Sequence, residues 1–101
     1  LFRSSKPELE RALEDRCTAK IEARGGLCLK LAIPGVRGFF DRTVLMPGAK
    51  AWFFETKRMR TGRVSSQQHR WQVVLFQLGF GAYLIDSDEQ FDAALEREMA
   101  K

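Results

Sequence analysis

Apolar side chains recur at Leu9, Leu13, Cys17 and Ile21, with Ala12 alongside. A spacing of four puts them on one helical face and predicts a helix there. Ser5-Lys6-Pro7-Glu8 reads as its start, with Ser5 as N-cap, Glu8 three residues on and Pro7 in the first turn. Gly25-Gly26 ends it. The period then drops to two. In "LCLKLAI", 27–33, Leu27, Leu29, Leu31 and Ile33 share one face, which predicts a strand broken by Pro34-Gly35. "DRTVLM", 41–46, reads as a second strand turned by Pro47-Gly48, and "AWFFETK", 51–57, as a third. Three strands with short connections predict an antiparallel meander.

The helical period returns after a basic loop at 58–64. Ser65 or Ser66 caps a second helix in which Trp71, Val74, Leu75 and Leu78 share a face, and Gly79 stops it. "AYLI", 82–85, is a fourth strand. Ser87 with Gln90 forms a capping box that opens a last helix through Phe91, Ala94, Leu95 and Met99. The predicted order is α-β-β-β-α-β-α, an α/β layered domain with a mixed sheet. Both tryptophans, Trp52 and Trp71, fall on apolar periodicities and read as core.

A length of 101 residues predicts one domain, 1–101, with a modest core. With 45% hydrophobic and 30% charged residues the chain is globular rather than disordered. No apolar run approaches the ~18 residues that span a membrane. The chain begins at Leu1 rather than Met, so a trimmed targeting segment stays open. Cys17 and Cys28 make neither a metal spacing nor a disulfide framework; they read as core packing and fit a reducing, intracellular compartment.

Charge changes the picture more than composition does. Residues 1–29 carry six basic and five acidic side chains, and residues 71–101 carry two basic and six acidic. Between them, residues 30–70 hold nine basic residues against two acids, Asp41 and Glu55. A +7 block between near-neutral and acidic ends suggests a polyanionic partner, most simply nucleic acid, with a solvated basic surface as the alternative.

The two acids of that block are predicted to meet. Side chains alternate along a strand, so Ala51, Phe53, Glu55 and Lys57 share a face. In a meander the start of the second strand lies near the end of the third, which brings Asp41 to Glu55 and Lys57. One reading is an ordinary cross-strand ion pair, worth ~0.2–1 kcal/mol. The other is a divalent-cation site, since two carboxylates beside a lysine suit a hard ion such as Mg²⁺ or Mn²⁺.

"GFFD" at 38–41, "FETK" at 54–57 and "GRVSSQQHRW" at 62–71 together resemble the VRR-NUC family, the virus-type replication-repair nuclease branch of the PD-(D/E)XK superfamily. The resemblance runs from the first helix to the last strand. It implies a restriction-endonuclease-like α-β-β-β-α-β core, with a mixed central sheet flanked by helices. On this resemblance Asp41 is the motif's aspartate, Glu55-Thr56-Lys57 its E-x-K, and Gln68 the glutamine of the following helix, a residue that otherwise looks like a helix cap. Glu10 best matches the family's first-helix glutamate, with Glu14 in reserve. The family usually has Val-Pro before the aspartate, where this chain has Phe39-Phe40.

The resemblance implies a metal-dependent DNA endonuclease. Asp41, Glu55, Glu10 and the Thr56 carbonyl would hold Mg²⁺ or Mn²⁺, and Lys57 would stabilise developing charge. Arg37, Arg58, Arg60 and Arg63 would grip phosphates by shape rather than sequence. His69 reads as a surface or DNA-contact residue. Small stand-alone members resemble junction-resolving enzymes, which implies branched DNA, such as four-way Holliday junctions in DNA repair, cut by a homodimer. If virus-encoded, the protein would act in the cytoplasm of a bacterial host. The alternatives are a single-site flap or nicking nuclease and a catalytically silent DNA-binding module. Phe39 and Phe40, paired aromatics in a loop, mark either the dimer interface or a segment folded back over the core.

Overall fold

The computed structural model of the protein describes residues 5–57 and 66–101, with side chains from residue 10 onward. Helix α1 (Ser5–Ala23) leads into strands β1 (Leu27–Lys30), β2 (Arg42–Met46) and β3 (Lys50–Thr56). Helix α2 (Ser66–Gln77), strand β4 (Gly81–Ile85) and helix α3 (Asp88–Met99) follow. The sheet order is β1-β2-β3-β4. β1, β2 and β3 pair antiparallel, as a meander must, and β4 runs parallel to β3. The sheet is therefore mixed and flanked by helices on both faces, as predicted.

Local chemistry sets the ends. α1 stops at Gly25, whose φ of 83° suits glycine; the Gly26 N–H returns to the Ile21 carbonyl at 3.0 Å. α3 starts where the Gln90 N–H donates to Ser87 Oγ at 3.2 Å, the predicted cap.

Alternation splits the core in two. Val44, Met46, Trp52, Phe54 and Ile85 face α1 and α3, where Leu13, Cys17, Ile21, Phe91, Ala94 and Leu95 meet them. Burial pushes the Cys17 thiol up to about 12, so it stays protonated and acts as a core hydrophobe. On the other face Phe53 and Leu84 pack with Phe40, Leu75 and Ala82 beneath α2.

Three expectations are corrected, and the open choice at Phe39-Phe40 is decided. β1 ends at Lys30, not 33, and its apolar face is not core: Leu27 is 56% exposed and Leu29, Leu31 and Ile33 are exposed with it. The reason is position. β1 is the sheet edge, and α2 packs on β4 at the far side of the same face. Leu78, expected on the packed face of α2, lies beyond the helix end and is exposed. Trp71 is half-buried rather than core. Finally, Phe39 and Phe40 do not project as an interface. Phe40 is only 1% exposed, and Phe39 lies edge-on to Phe53 and Trp71 at 5.5 and 5.3 Å. Aromatic packing thus anchors the loop that the family's usual proline would stiffen.

Candidate active site

The antiparallel register places the acids. Arg42 lies across from Phe54, so the next step outward sets Asp41 across from Glu55. Asp41 is held there by its backbone, whose carbonyl accepts from the Leu31 N–H at 2.9 Å. At the end of β3 alternation turns Glu55 toward α2 and Thr56 toward α1.

Each side meets a partner. On the α2 side Gln68, only 6% exposed, donates from Nε2 to Glu55 Oε2 at 2.8 Å. Lys57 Nζ donates to Gln68 Oε1 at 3.4 Å and stands 3.7 Å from Glu55 Oε2. On the α1 side Glu14 is fully engaged: Arg42 Nη2 reaches Oε1 and Thr56 Oγ1 donates to Oε2, both at 3.1 Å. Between the two sides a cleft of about 320 Å³ is lined by Glu10, Arg11, Glu14, Lys30, Asp41, Glu55 and Thr56.

The cleft is electrostatically strained. Burial raises the Asp41 carboxyl above its ordinary pKa and the charge of Glu14 raises it further, against the pull of Lys30 and Arg42. Burial also raises Glu55, and Asp41 adds to it; the Gln68 hydrogen bond and Lys57 oppose this. Asp41 Oδ1 is buried with no hydrogen-bond partner among the described residues. A polar oxygen so placed costs free energy unless something satisfies it.

Those features fit a divalent cation. Mg²⁺ is commonly held by one or two carboxylates, several waters and substrate phosphates. Two like-charged carboxylates with an orphaned oxygen supply that donor set. Among the described residues no three His, Cys, Asp or Glu side chains stand close enough to enclose an ion. The cleft is therefore an open two-carboxylate site rather than a closed cage.

Asp41, Glu55, Lys57 and Gln68 thus converge, and Glu10 and Thr56 line the same cleft. Arg37 does not join them; it is exposed and lines a neighbouring cavity. Arg58, Arg60 and Arg63 lie outside the described residues. Sequence reading passed over Arg11, which carries no spacing signal. It counted Lys30 and Arg42 only as charge, although strand register puts both next to Asp41.

The α-β-β-β-α-β frame carries Asp41 and Glu55-Thr56-Lys57 at the end of its third strand, the arrangement that the resemblance to a nuclease family implies. Among curated proteins the chain is 31% identical to "Putative nuclease p44" of Acyrthosiphon pisum secondary endosymbiont phage 1, over 80 residues that cover 79% of this chain and 85% of that protein. Among solved structures it is similar to a "VRR_NUC domain" with a TM-score of 0.78 and 27% identity, covering 87% of this chain and 95% of that one. No protein-family model matches the chain. The chain belongs to the VRR-NUC family of nucleases. No helix among the described residues is long and apolar enough to cross a membrane.

Proposed function

We propose that the protein is a Mg²⁺- or Mn²⁺-dependent, structure-selective DNA endonuclease that cuts branched DNA such as four-way junctions as a homodimer. The observation that carries the reading is the strained acid pair: Asp41 and Glu55, raised by burial and by nearby negative charge, with Asp41 Oδ1 unsatisfied among the described residues. Glu55 pairs with Lys57, but Asp41 forms no ion pair among the described residues, although Lys30 and Arg42 are close enough to act on its charge.

The cation would be held by Asp41, Glu55 and the Thr56 carbonyl; Glu10 lines the same cleft and would reach the ion only by closing in on it, and it is favoured over Glu14, whose two oxygens already hold partners. A bound divalent ion supplies a water nucleophile at neutral pH and polarises the scissile phosphate. The residues of the chain do the rest. Gln68 orients the Glu55 carboxylate and receives the Lys57 ammonium, so both are aimed before substrate arrives. Lys57 stabilises charge that builds on the attacked phosphate. Glu14 ties α1 to Thr56 and Arg42 and so fixes the end of β3 and the start of β2 together. Lys30 and Arg11 add positive charge to the wall that a phosphate would face.

Two symmetric cuts at a junction need two such sites, which a two-fold dimer supplies. The exposed leucines of β1 and Leu45 beside them on β2, together with the open backbone edge of β1, support a self-complementary surface there rather than at Phe39-Phe40.

The test is cleavage of duplex, flap, splayed-arm and four-way substrates with Mg²⁺ or Mn²⁺ and with EDTA. Cutting should stop in EDTA and in Asp41→Asn and Glu55→Gln, both of which should stay folded. Near wild-type cutting by either variant would show that the cleft is not the active site.

A further inference from the structure

A second cavity, of about 350 Å³, opens between the 34–37 turn and the start of α2. Its wall carries Arg37, Gln67, Arg70 and Trp71, with Val36 and Val74. The volume falls within the ~300–1,000 Å³ typical of ligand pockets. Arg37 and Arg70 have no ion-pair partner among the described residues, as is true of Arg11, Lys30, Lys50 and Arg97, but these two share a cavity whose lining holds no acid. The surface therefore keeps two guanidinium groups ready for an anion.

Trp71 is held in place. Its Nε1 donates to the Arg37 carbonyl at 3.0 Å, and its ring lies edge-on to Phe39. With the N–H taken, the indole offers the cavity an aromatic surface and no donor. Gly38 pins the turn to the helix: its φ is 75°, and a Cβ there would strike Gln67. Gln67 precedes Gln68, which bonds Glu55. The cavity therefore begins within about one helical turn, ~5.4 Å, of the glutamine that bonds Glu55.

We propose that this cavity takes one unpaired nucleotide beside the bond that is cut, its base against Trp71 and its phosphate between Arg37 and Arg70. The proposal rests on the nuclease reading and gives it a source of structure selectivity. A base inside a duplex must leave its stack and its partner to enter, whereas one at a branch point or on a splayed arm is already free. Stacking on an aromatic ring tolerates any base, so the pocket selects for unpairing rather than for sequence.

The test is fluorescence anisotropy of the full chain in EDTA, with a labelled splayed-arm DNA and the matched fully paired duplex. Wild type should favour the splayed arm. Trp71→Ala should weaken that complex by roughly 5- to 100-fold and leave the duplex within about two-fold. Because Trp71 also packs on Phe39, the exposed pair Arg37→Ala with Arg70→Ala is measured alongside. It should weaken splayed-arm binding about ten-fold more than duplex binding, since only that substrate places a phosphate in the cavity. Equal loss on both substrates, no loss on either, or a wild type without preference would overturn the proposal. Cleavage in Mg²⁺ separates the two readings. A protein that cuts but shows no preference loses only the nucleotide pocket, whereas one that neither cuts nor binds DNA loses both.

Discussion

In the metal-free protein, Asp41→Asn should raise stability. The wild-type side chain is strained: Oδ1 is buried without a partner among the described residues, and burial and then the charge of Glu14 disfavour ionisation. Asp41 in turn raises Glu55. Lys30 and Arg42 offset part of this. Asparagine keeps the shape and removes the charge. Substitutions that relieve such functional strain gain ~0.5–2 kcal/mol, and solvent screening of a half-exposed group argues for about 1 kcal/mol. For a domain of this size that is a rise in Tm of about 4–8 °C.

The assay is thermal unfolding in EDTA across pH. The folded pKa values of Asp41 and Glu55 lie above the unfolded ~3.9 and ~4.3, so within that window the folded state binds more protons than the unfolded chain. Their contribution to wild-type stability is therefore largest at low pH and is lost as pH rises through the raised values. The gain from Asp41→Asn should be full at pH 8 and vanish below about pH 4, where the carboxyl is protonated in both states. Mn²⁺ at 100 times its Kd should stabilise wild type by ~2.7 kcal/mol at pH 8 and Asp41→Asn far less. As a contrast, Glu14→Gln should destabilise by ~1–3 kcal/mol, because both Glu14 oxygens hold partners. A lower Tm for Asp41→Asn in EDTA would refute the reasoning: Asp41 would then be holding the fold together rather than straining it.

Gln68→Ala should lower the cleavage rate by roughly 10–100-fold with DNA binding retained, since it removes the amide between Glu55 and Lys57; single-turnover cleavage measures this. Replacing Arg58, Arg60 and Arg63 with Ala should reduce the slope of log K against log salt by ~0.9 per lost phosphate contact, and an unchanged slope would take that loop out of the interface. Sedimentation equilibrium should return twice 11.6 kDa for wild type. Leu27→Lys with Leu29→Glu should return a monomer, and a variant that stays dimeric would move the interface away from β1.

Much of this protein is legible in local sequence. Caps, turns and the two apolar periods depend on neighbours within one turn or one strand, so α1, the meander and the Ser87 cap follow from the residues themselves. The meeting of Asp41 and Glu55 follows too, because a short hairpin forces the start of one strand against the end of the next. The family resemblance added the role of Gln68, which locally looks like a cap and in space touches Glu55. The rest was decided by how layers pack. An alternating apolar strand states that one face avoids water but not that a helix will cover it. β1 lies at the sheet edge while α2 sits over β4, so its leucines stay exposed. Phe39-Phe40 could face outward or inward, and only the gap beside Phe53 and Trp71 draws the pair in. The rotation of α1 about its axis, set by Leu13, Cys17 and Ile21 against the sheet, binds Glu14 to Arg42 and Thr56 and leaves Glu10 on the open wall of the cleft. Such choices depend on contacts between segments far apart in the chain, where spacing along the sequence carries no record of which side meets which.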